Sequence, residues 1–246
     1  MTHQVLRYAA ASDVGLRREI NEDAVYASDH LLLVADGIGG QPHGEVASAA
    51  AVSVLAELDQ SLRQFDLATL DLEVTLADGI VAIGRRLAET AEQNPATHGM
   101  GTTLTALLFD GTRFAAAHVG DSRGYVLRDG TLHRFTRDHT LVQALVEEGR
   151  ITPEEAVNHP RRSMIMKALQ STGSSEPDLQ TFEAYRGDRY LLCSDGLTAG
   201  ATEEAVKAAL VEFAEPADAV RELIALANGG GGPDNITCVV ADVVPG

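Results

Sequence analysis

Residues 31–37, LLLVADG, indicate how this chain folds and where its chemistry lies. The apolar run predicts a β-strand in the core, because short continuous apolar runs are typical of buried strands. The run ends at Asp36, and Gly37 follows at once. An acidic residue and a glycine at this point predict either an ordinary turn or a carboxylate held at the edge of a sheet.

The same arrangement recurs at other acidic residues. Asp121 in HVGDS and Asp195 in YLLCSDG also end apolar runs, and Asp234 in GGPDNITCVV comes just before one. An acidic pair, Glu22 and Asp23, lies in RREINED. Carboxylates at the ends of adjacent buried strands converge, and each close pair repels by about 4 kcal/mol at an effective dielectric constant near 20. The sequence therefore predicts a bound cation.

The chemistry of the donors suggests which cation this is. Oxygen ligands without a matching set of His and Cys favour Mg²⁺ or Mn²⁺ over Zn²⁺. Gly37 allows its own backbone carbonyl to approach a metal, and Gly196 allows a tight exit from the strand. Turn chemistry explains a single Asp-Gly pair better. The four aspartates together with Glu22 and Asp23 favour the metal site.

Composition limits the class of protein. The chain has 246 residues with 19 Lys and Arg against 36 Asp and Glu, a net charge of -17. This charge argues against a nucleic-acid or anionic-membrane surface, since both need clustered cations. Cys193 and Cys238 lie in apolar runs and are expected to be buried thiols in a reducing compartment. The N-terminus has no apolar signal core, and no apolar run is long enough to span a membrane.

Periodicity and turn residues predict strands in blocks with helix pairs between them. The Asp-Gly pairs at 110–111 and 129–130 predict hairpins, which favour antiparallel sheets packed together with helices outside over an ordinary α/β sheet. Residues 137–170 are expected to be a small helical insertion. The predicted strands are 4–13, 24–35, 102–109, 113–119, 123–128, 178–184, 188–194 and 235–243, and the predicted helices are 43–60, 67–93, 202–213 and 216–228.

Several other residues are candidates for catalysis. Arg18 lies four residues before Glu22, and a guanidinium beside metals is a natural clamp for phosphate, although a lone arginine is more often a surface ion-pair partner. The glycines after Asp36 do not fit a phosphate-binding loop. His118 is expected to be a core residue, whereas His43, His139 and His159 are candidate general acids in loops. Neither a cysteine nor a serine nucleophile has an identifiable partner.

Eight ordered blocks of sequence carry a resemblance that runs from about residue 6 to 243. The chain closely resembles the bacterial metal-dependent protein phosphatases, the PPM or protein phosphatase 2C family, and most of all the catalytic domains of actinobacterial phosphatases that oppose Hanks-type Ser/Thr kinases. The blocks are RREINEDA, LLLVADGIGG, GMGTTLTALL, HVGDSRGYVLRDG, TRDHTLVQALVEEGRITPEEA, HPRRSMIMKAL, GDRYLLCSDGLT and GGPDNITCVVAD.

The resemblance implies a fold. It is an α+β fold, an α/β-β/α four-layer sandwich in which two central, mostly antiparallel sheets are flanked by helix pairs. Residues 1–246 are expected to form a single catalytic domain. Residues 137–175 resemble the mobile flap beside the active site.

The resemblance also implies roles for the site residues. Asp36 resembles the carboxylate that bridges two tightly bound Mn²⁺ or Mg²⁺ ions, and the Gly37 carbonyl resembles a ligand of the first. Asp195 and Asp234 resemble ligands of the second ion, and Glu22 and Asp23 resemble direct or water-mediated ligands. Asp121, with Asp195, resembles a weaker third site that the backbone of Ser163 assists. Arg18 resembles the phosphate-binding arginine.

One position departs from part of the family. Animal members carry a histidine after the Asp-Gly pair as the proposed acid for the leaving alcohol, whereas this chain has Ile38. The general acid is therefore unassigned, and a metal-bound water is an alternative.

The implied activity is hydrolysis of phosphoserine and phosphothreonine in proteins by a water that bridges the two metals, which reverses Ser/Thr kinase signalling. The expected partners are phosphorylated proteins, including Ser/Thr kinases, without nucleic acid or membrane insertion. The expected location is the cytoplasm, either free or as the cytoplasmic domain of a membrane-anchored protein. The alternatives are a same-fold phosphatase of a sigma-factor regulator and a catalytically silent binding module.

Overall fold

The secondary structure consists of short strands in blocks and paired helices. A computed structural model describes residues 3–38, 43–173 and 175–246. Its strands are β1 (Gln4–Asp13), β2 (Asp23–Ala27), β3 (Leu31–Asp36), β4 (Gly101–Thr102), β5 (Leu104–Phe109), β6 (Arg113–Val119), β7 (Arg123–Arg128), β8 (Thr131–Arg134), β9 (Leu169–Gln170), β10 (Asp178–Glu183), β11 (Arg189–Cys193) and β12 (Ile236–Pro245). Its α-helices are α1 (Gly44–Leu62), α2 (Leu72–Gln93), α3 (Leu141–Glu147), α4 (Pro153–Val157), α5 (Asp195–Gly200), α6 (Glu203–Glu212) and α7 (Pro216–Gly229).

Ten of these strands form two antiparallel sheets of five strands each. The first sheet has the order β1-β12-β11-β7-β8, and the second has the order β10-β6-β5-β3-β2. Strands β4 and β9 form a separate two-stranded pair. Neighbouring strands in both sheets run antiparallel. The antiparallel arrangement favoured by the Asp-Gly hairpins is confirmed.

The alternation of side chains along β3 explains the layers. Leu31 and Leu33 pack into a core shared with helices α1 and α2, while Leu32 and Val34 pack into the core between the two sheets. Successive side chains of a strand point to opposite faces, so a strand covered on both faces must be apolar at every position. A third core packs α6 and α7 against the first sheet. The result is helices, sheet, sheet and helices, and the four-layer prediction is confirmed.

Two predicted elements were wrong in their extent. Residues 24–35 were expected to form one strand but form β2 and β3, because Ser28 Oγ accepts hydrogen bonds from the backbone N–H groups of His30 and Leu31 and closes a turn. The helix expected at 67–93 was also expected to be interrupted at Gly79 and Gly84, but α2 runs through both glycines. It begins only at Leu72, because the Asp71 carboxylate accepts the Val74 N–H and caps α2 there.

Four short elements were not predicted as separate elements: β4, β8, β9 and α5. The first two are only 2 and 4 residues long, too short for periodicity to show. The segment that follows β8 contains α3 and α4 and ends at β9. No helix within the described ranges combines the length and apolar character needed to cross a membrane.

Candidate metal centre

Asp36 is held by its backbone at the end of β3. Thr103 N–H donates to Asp36 O at 2.8 Å, and Thr103 Oγ1 accepts Asp36 N–H at 3.0 Å. Thr102 Oγ1 donates to the same carbonyl at 3.0 Å. These two threonines belong to the run GMGTT, which therefore has a structural role. They fix the backbone of Asp36, so that its carboxylate is not needed to hold the end of the strand in place.

Gly37 lies where no larger residue fits. A Cβ atom there would come within 2.4 Å of the Gly44 backbone and 2.7 Å of Glu22 O. The Gly37 N–H donates to Glu22 O at 3.0 Å. The start of α1, the end of β3 and the segment that carries Glu22 are therefore packed against one another at the backbone level.

Asn235 fixes the segment that carries Arg18 and Glu22. Its amide oxygen accepts Glu22 N–H at 2.9 Å, and its amide nitrogen donates to Val14 O at 2.9 Å and Ile20 O at 3.0 Å. The residue is buried, and it follows Asp234 directly. Sequence reasoning missed this role, because the partners Val14 and Ile20 lie more than 200 residues away in the sequence.

Ser194 joins the two sheets at the site. Its hydroxyl donates to Asp23 Oδ2 at 2.7 Å and accepts Thr237 N–H at 3.0 Å. Asp23 begins β2 of the second sheet, while Ser194 and Asp195 follow β11 of the first. The predicted acidic residues are therefore supplied by both sheets. Asp121 lies in the loop from β6 to β7, which crosses between them.

The carboxylates are close enough to disturb one another's ionisation. Burial raises the pKa of Asp36 well above its ordinary value, and repulsion from Asp23 and Asp195 acts in the same direction. Burial, with repulsion from Asp121 and Asp234, raises the pKa of Asp195 to about 8. Each shift has the sign expected when negative charges are packed together with little compensation.

A smaller shift is found at three other carboxylates. Burial and repulsion from Asp138 raise the pKa of Asp121 to about 6. Burial also raises the pKa of Asp23 and Glu22, and for Glu22 the Arg18 guanidinium opposes the effect. These five carboxylates therefore share one pattern, in which burial raises the pKa of each.

The donor set fits a hard divalent cation. One carboxylate oxygen each of Asp23 and Asp121 is buried without a hydrogen-bond partner in the described part of the chain. Buried oxygens without partners are costly unless they face a ligand. Within residues 3–38, 43–173 and 175–246, no three acidic, histidine or cysteine side chains form a ready-made ligand cluster.

Arg18 lies on the rim of the site and contacts two of the predicted ligands. Its Nη2 donates to Asp234 Oδ2 at 2.8 Å, and its Nη1 lies 3.5 Å from Glu22 Oε2. The side chain is 38% exposed, so a phosphate can reach it from solvent. Asp234 also accepts the N–H of Asn235 at 2.8 Å.

Part of the predicted flap lies beside the residue that follows Gly37. Ser163 is exposed and shares the lining of a cavity of about 170 Å³ with Ile38, the residue after Gly37. This places Ser163 on the side of the Asp36 loop. The glycines at 39 and 40 lie outside the described residues.

The candidate histidines differ in access. His118 is a buried core residue, as expected, with Thr105 and the Arg137 carbonyl as ring partners. His139 is also buried and both ring nitrogens have partners, so it is not available as a general acid. His43 is half-exposed beside Glu45, and His159 Nδ1 accepts the Arg161 N–H.

A family model described as protein phosphatase 2C matches residues 17–228. The chain belongs to the protein phosphatase 2C family. Within this family it is similar to the serine/threonine protein phosphatase PstP of Mycobacterium tuberculosis, with 54% identity over 242 residues, 98% of this chain and 45% of that protein. The chain therefore spans about half the length of the curated relatives that it matches first. The serine/threonine phosphatase stp of Listeria monocytogenes is 35% identical over 94% of this chain and 93% of its own length.

Solved structures of protein phosphatase 2C relatives share the fold. The crystal structure of Mycobacterium tuberculosis PstP has a TM-score of 0.91 at 52% identity and covers 98% of this chain and 99% of that one. A crystal structure of the PstP catalytic domain in complex with two manganese ions has a TM-score of 0.89 at 51% identity, with the same coverage. The predicted family and fold are confirmed.

Proposed function

We propose that this chain is a metal-dependent protein phosphatase that hydrolyses phosphoserine and phosphothreonine in proteins. The observation that carries the proposal is the acidic group supplied by both sheets, with unpartnered oxygens on Asp23 and Asp121. Its oxygen donors suit Mn²⁺ or Mg²⁺. The two manganese ions of the similar PstP catalytic domain support the same conclusion.

The proposed ligands follow the positions of the carboxylates. Asp36 would contribute to both of two cations, the Gly37 carbonyl would help hold the first, and Asp195 and Asp234 would help hold the second. Glu22 and Asp23 act directly or through water. We assign Asp121, with Asp195 and the Ser163 backbone, to a third and weaker cation. A site with fewer charged protein ligands has a lower affinity, which is why the third cation is the weak one.

Arg18 is proposed to bind the substrate phosphate. When bound, the pair of cations supplies Lewis acidity and activates water for displacement at phosphorus. Arg18 is already oriented toward this point by Asp234 and Glu22. Because Asp234 would also be a ligand of a bound cation, its hold on the guanidinium would weaken in the loaded site, and Arg18 would then form a bidentate contact with the substrate phosphate.

Partners and location follow from the same proposal. The partners are phosphorylated proteins, Ser/Thr kinases among them, and the chain acts in the cytoplasm. The buried free thiols of Cys193 and Cys238 support a reducing compartment. Residues 1–246 form one catalytic domain with a flap at 137–175, since the site needs strands from both sheets.

The test is phosphate release from phosphoserine and phosphothreonine peptides with Mn²⁺, with EDTA, and after Mn²⁺ is restored. Hydrolysis should require Mn²⁺ and return with it. Asp195→Asn should abolish hydrolysis, whereas Asp129→Asn should not, because Asp129 is exposed in a hairpin turn with φ of 50°, which asparagine tolerates. Full turnover in EDTA, after metal removal is verified, would refute the proposal.

A further inference from the structure

The stem of the flap is a pair of segments joined by backbone hydrogen bonds. Leu141 N–H donates to Met164 O at 2.9 Å, and Met166 N–H donates to His139 O at 2.7 Å. His139 therefore lies on the segment that leads into the flap, and its backbone is held by the segment around Met164 and Met166 that leads out of the flap. Its side chain is buried below the flap stem.

His139 binds both backbone polar groups of Gly120. Its own N–H donates to Gly120 O at 2.8 Å, and its ring Nδ1 accepts Gly120 N–H at 3.1 Å. An accepting Nδ1 leaves the proton of the neutral ring on Nε2, which donates to Asp178 Oδ2 at 3.0 Å. Lys167 Nζ donates to the other oxygen of Asp178 at 3.0 Å. The orientation of the His139 ring is thus set from two sides.

Gly120 is confined from the other side by Thr103. Its φ is +109°, and a Cβ atom at this position would lie 2.5 Å from Thr103 Cγ2. Thr103 is the residue whose hydroxyl accepts the Asp36 N–H. The loop at Gly120 therefore lies between the flap stem and the residue that fixes Asp36.

Asp121 follows Gly120 directly and depends on its position. The residue is buried, and its Oδ1 has no hydrogen-bond partner among the described residues. A carboxylate oxygen without a partner of its own is placed by the backbone that carries it. His139 makes two of the contacts that place this backbone.

We infer that His139 is a positioning residue that couples the flap stem to the loop carrying Asp121. It holds Gly120 so that the Asp121 carboxylate is set for a divalent cation. The inference rests on the cation proposed above at Asp121. Because coupling between two sites is reciprocal, a cation at Asp121 also stabilises the flap stem.

Two variants of His139 separate its contacts. His139→Gln places an amide near the position of Nε2 and loses the acceptor for Gly120 N–H. His139→Asn places its amide oxygen near the position of Nδ1 and keeps that acceptor. Calorimetric titration with Mn²⁺ should show the weak site of His139→Gln weakened by about 3- to 10-fold, as loss of one hydrogen bond predicts. His139→Asn should stay within about 2-fold of the wild type.

The control is His133→Gln, since His133 is an exposed histidine on β8. It should change neither the weak site nor the two tight sites. The tight sites should also be unchanged in both His139 variants. Equal weakening of the weak site in His139→Gln and His139→Asn would overturn the assigned Nδ1 contact.

A double-mutant cycle with Asp121→Asn distinguishes positioning from general stabilisation. If His139 acts through Asp121, His139→Gln should cause no further loss of kcat/KM or of Mn²⁺ binding in the Asp121→Asn background. The same loss in both backgrounds, accompanied by a lower Tm, would overturn the inference.

The inference and the proposed function fail in different ways. If Asp121→Asn removes no weak Mn²⁺ site, the role of His139 is refuted, while a two-cation phosphatase stands. If the wild type binds Mn²⁺ but hydrolyses no phosphopeptide, the proposed function fails, and the titrations still decide whether His139 positions Asp121.

Discussion

Buried charge is compensated at one end of strand β11 and poorly compensated at the other end. At one end, Arg189 binds Asp242 through Nε at 2.5 Å and Nη2 at 2.8 Å, and Arg7 reaches the same carboxylate at 2.8 Å. At the other end, Asp195 lies among carboxylates, and burial with their repulsion raises its pKa to about 8. One end of the strand thus carries a neutralised ion pair, and the other end leads to an acidic residue whose charge is poorly compensated.

The difference distinguishes structural charge from functional charge. A buried carboxylate with a bidentate arginine has its partner within the chain, and removing either one leaves an uncompensated charge. A cluster of carboxylates without a matching set of cations is stable only if its members are protonated or an ion binds. The first arrangement predicts loss of stability on mutation, and the second predicts loss of activity.

The largest expected effect is on activity at the acidic end. Asp36→Asn should lower phosphopeptide turnover by about 1000-fold or more, because a charge shared by two cations contributes several kcal/mol to the transition state. In EDTA its Tm should equal or exceed that of the wild type, since the mutation removes repulsion. Turnover near the wild-type rate with full metal content would show that Asp36 is not a ligand.

The second effect is on stability at the opposite end. Asp242→Asn should lower the free energy of unfolding by about 3 kcal/mol, because it leaves the buried Arg189 guanidinium without its carboxylate. The matched control is Asp218→Asn, which removes an exposed ion pair with Arg221 and should cost less than about 1 kcal/mol. Urea unfolding in EDTA measures both. Equal losses would show that the Arg189 end is not a buried structural pair.

The third effect tests whether Arg18 binds the substrate phosphate or supports metal binding. Arg18→Ala should lower kcat/KM for a phosphopeptide by about 10- to 100-fold, because a charged hydrogen-bond pair contributes about 1.5–3 kcal/mol. Mn²⁺ affinity should not fall, since Arg18 competes with a cation for Asp234. Calorimetric titration checks this, and a marked loss of Mn²⁺ affinity would contradict the clamp role.

The smallest effect is a dependence of stability on pH. In EDTA the folded chain binds more protons than the unfolded chain, because the folded pKa of Asp195 is about 8 and the unfolded value is about 3.9. Stability should therefore fall by about 1–2 kcal/mol as the pH rises from about 6.5 to 8. Below this window His118 acts in the opposite sense, because burial lowers its pKa to about 4.

Metal provides the control for this experiment. Mn²⁺ competes with protons for the carboxylates, so its presence should flatten or reverse the pH dependence. Urea unfolding at three pH values with EDTA and with Mn²⁺ measures the effect. An Asp195→Asn variant that keeps the full decline in EDTA would place its origin elsewhere.

The sequence was a good guide where one physical requirement dominates. The run at 31–36 must be apolar at every position because both of its faces are covered, and this pattern is visible without a structure. The convergence of Asp36, Asp121, Asp195 and Asp234 was predicted because each lies at a strand end, and it stays a prediction. The pattern of repulsion in their pKa shifts supports the prediction.

The features that were missed depend on long-range contacts. Asn235 binds Val14 and Ile20, more than 200 residues away, and nothing in its own segment indicates these partners. The same is true of Ser194 and Asp23, which meet across the two sheets. His139 looked like a free loop residue because Gly120, the partner of its ring, lies 19 residues earlier. Periodicity reports which face is buried but not which side chains meet.

The assembly of the site from both sheets has a consequence for kinetics. Asp36 and Asp23 belong to one sheet and Asp195 follows β11 of the other, so a chain with only one sheet formed lacks the complete proposed ion site. Interactions that form after the folding transition state slow unfolding without speeding folding. If the sheets dock late, Mn²⁺ should lengthen the lifetime of the native state in stopped-flow unfolding while the refolding rate stays nearly constant. The ion would then slow the unfolding of the native state without helping the chain to fold.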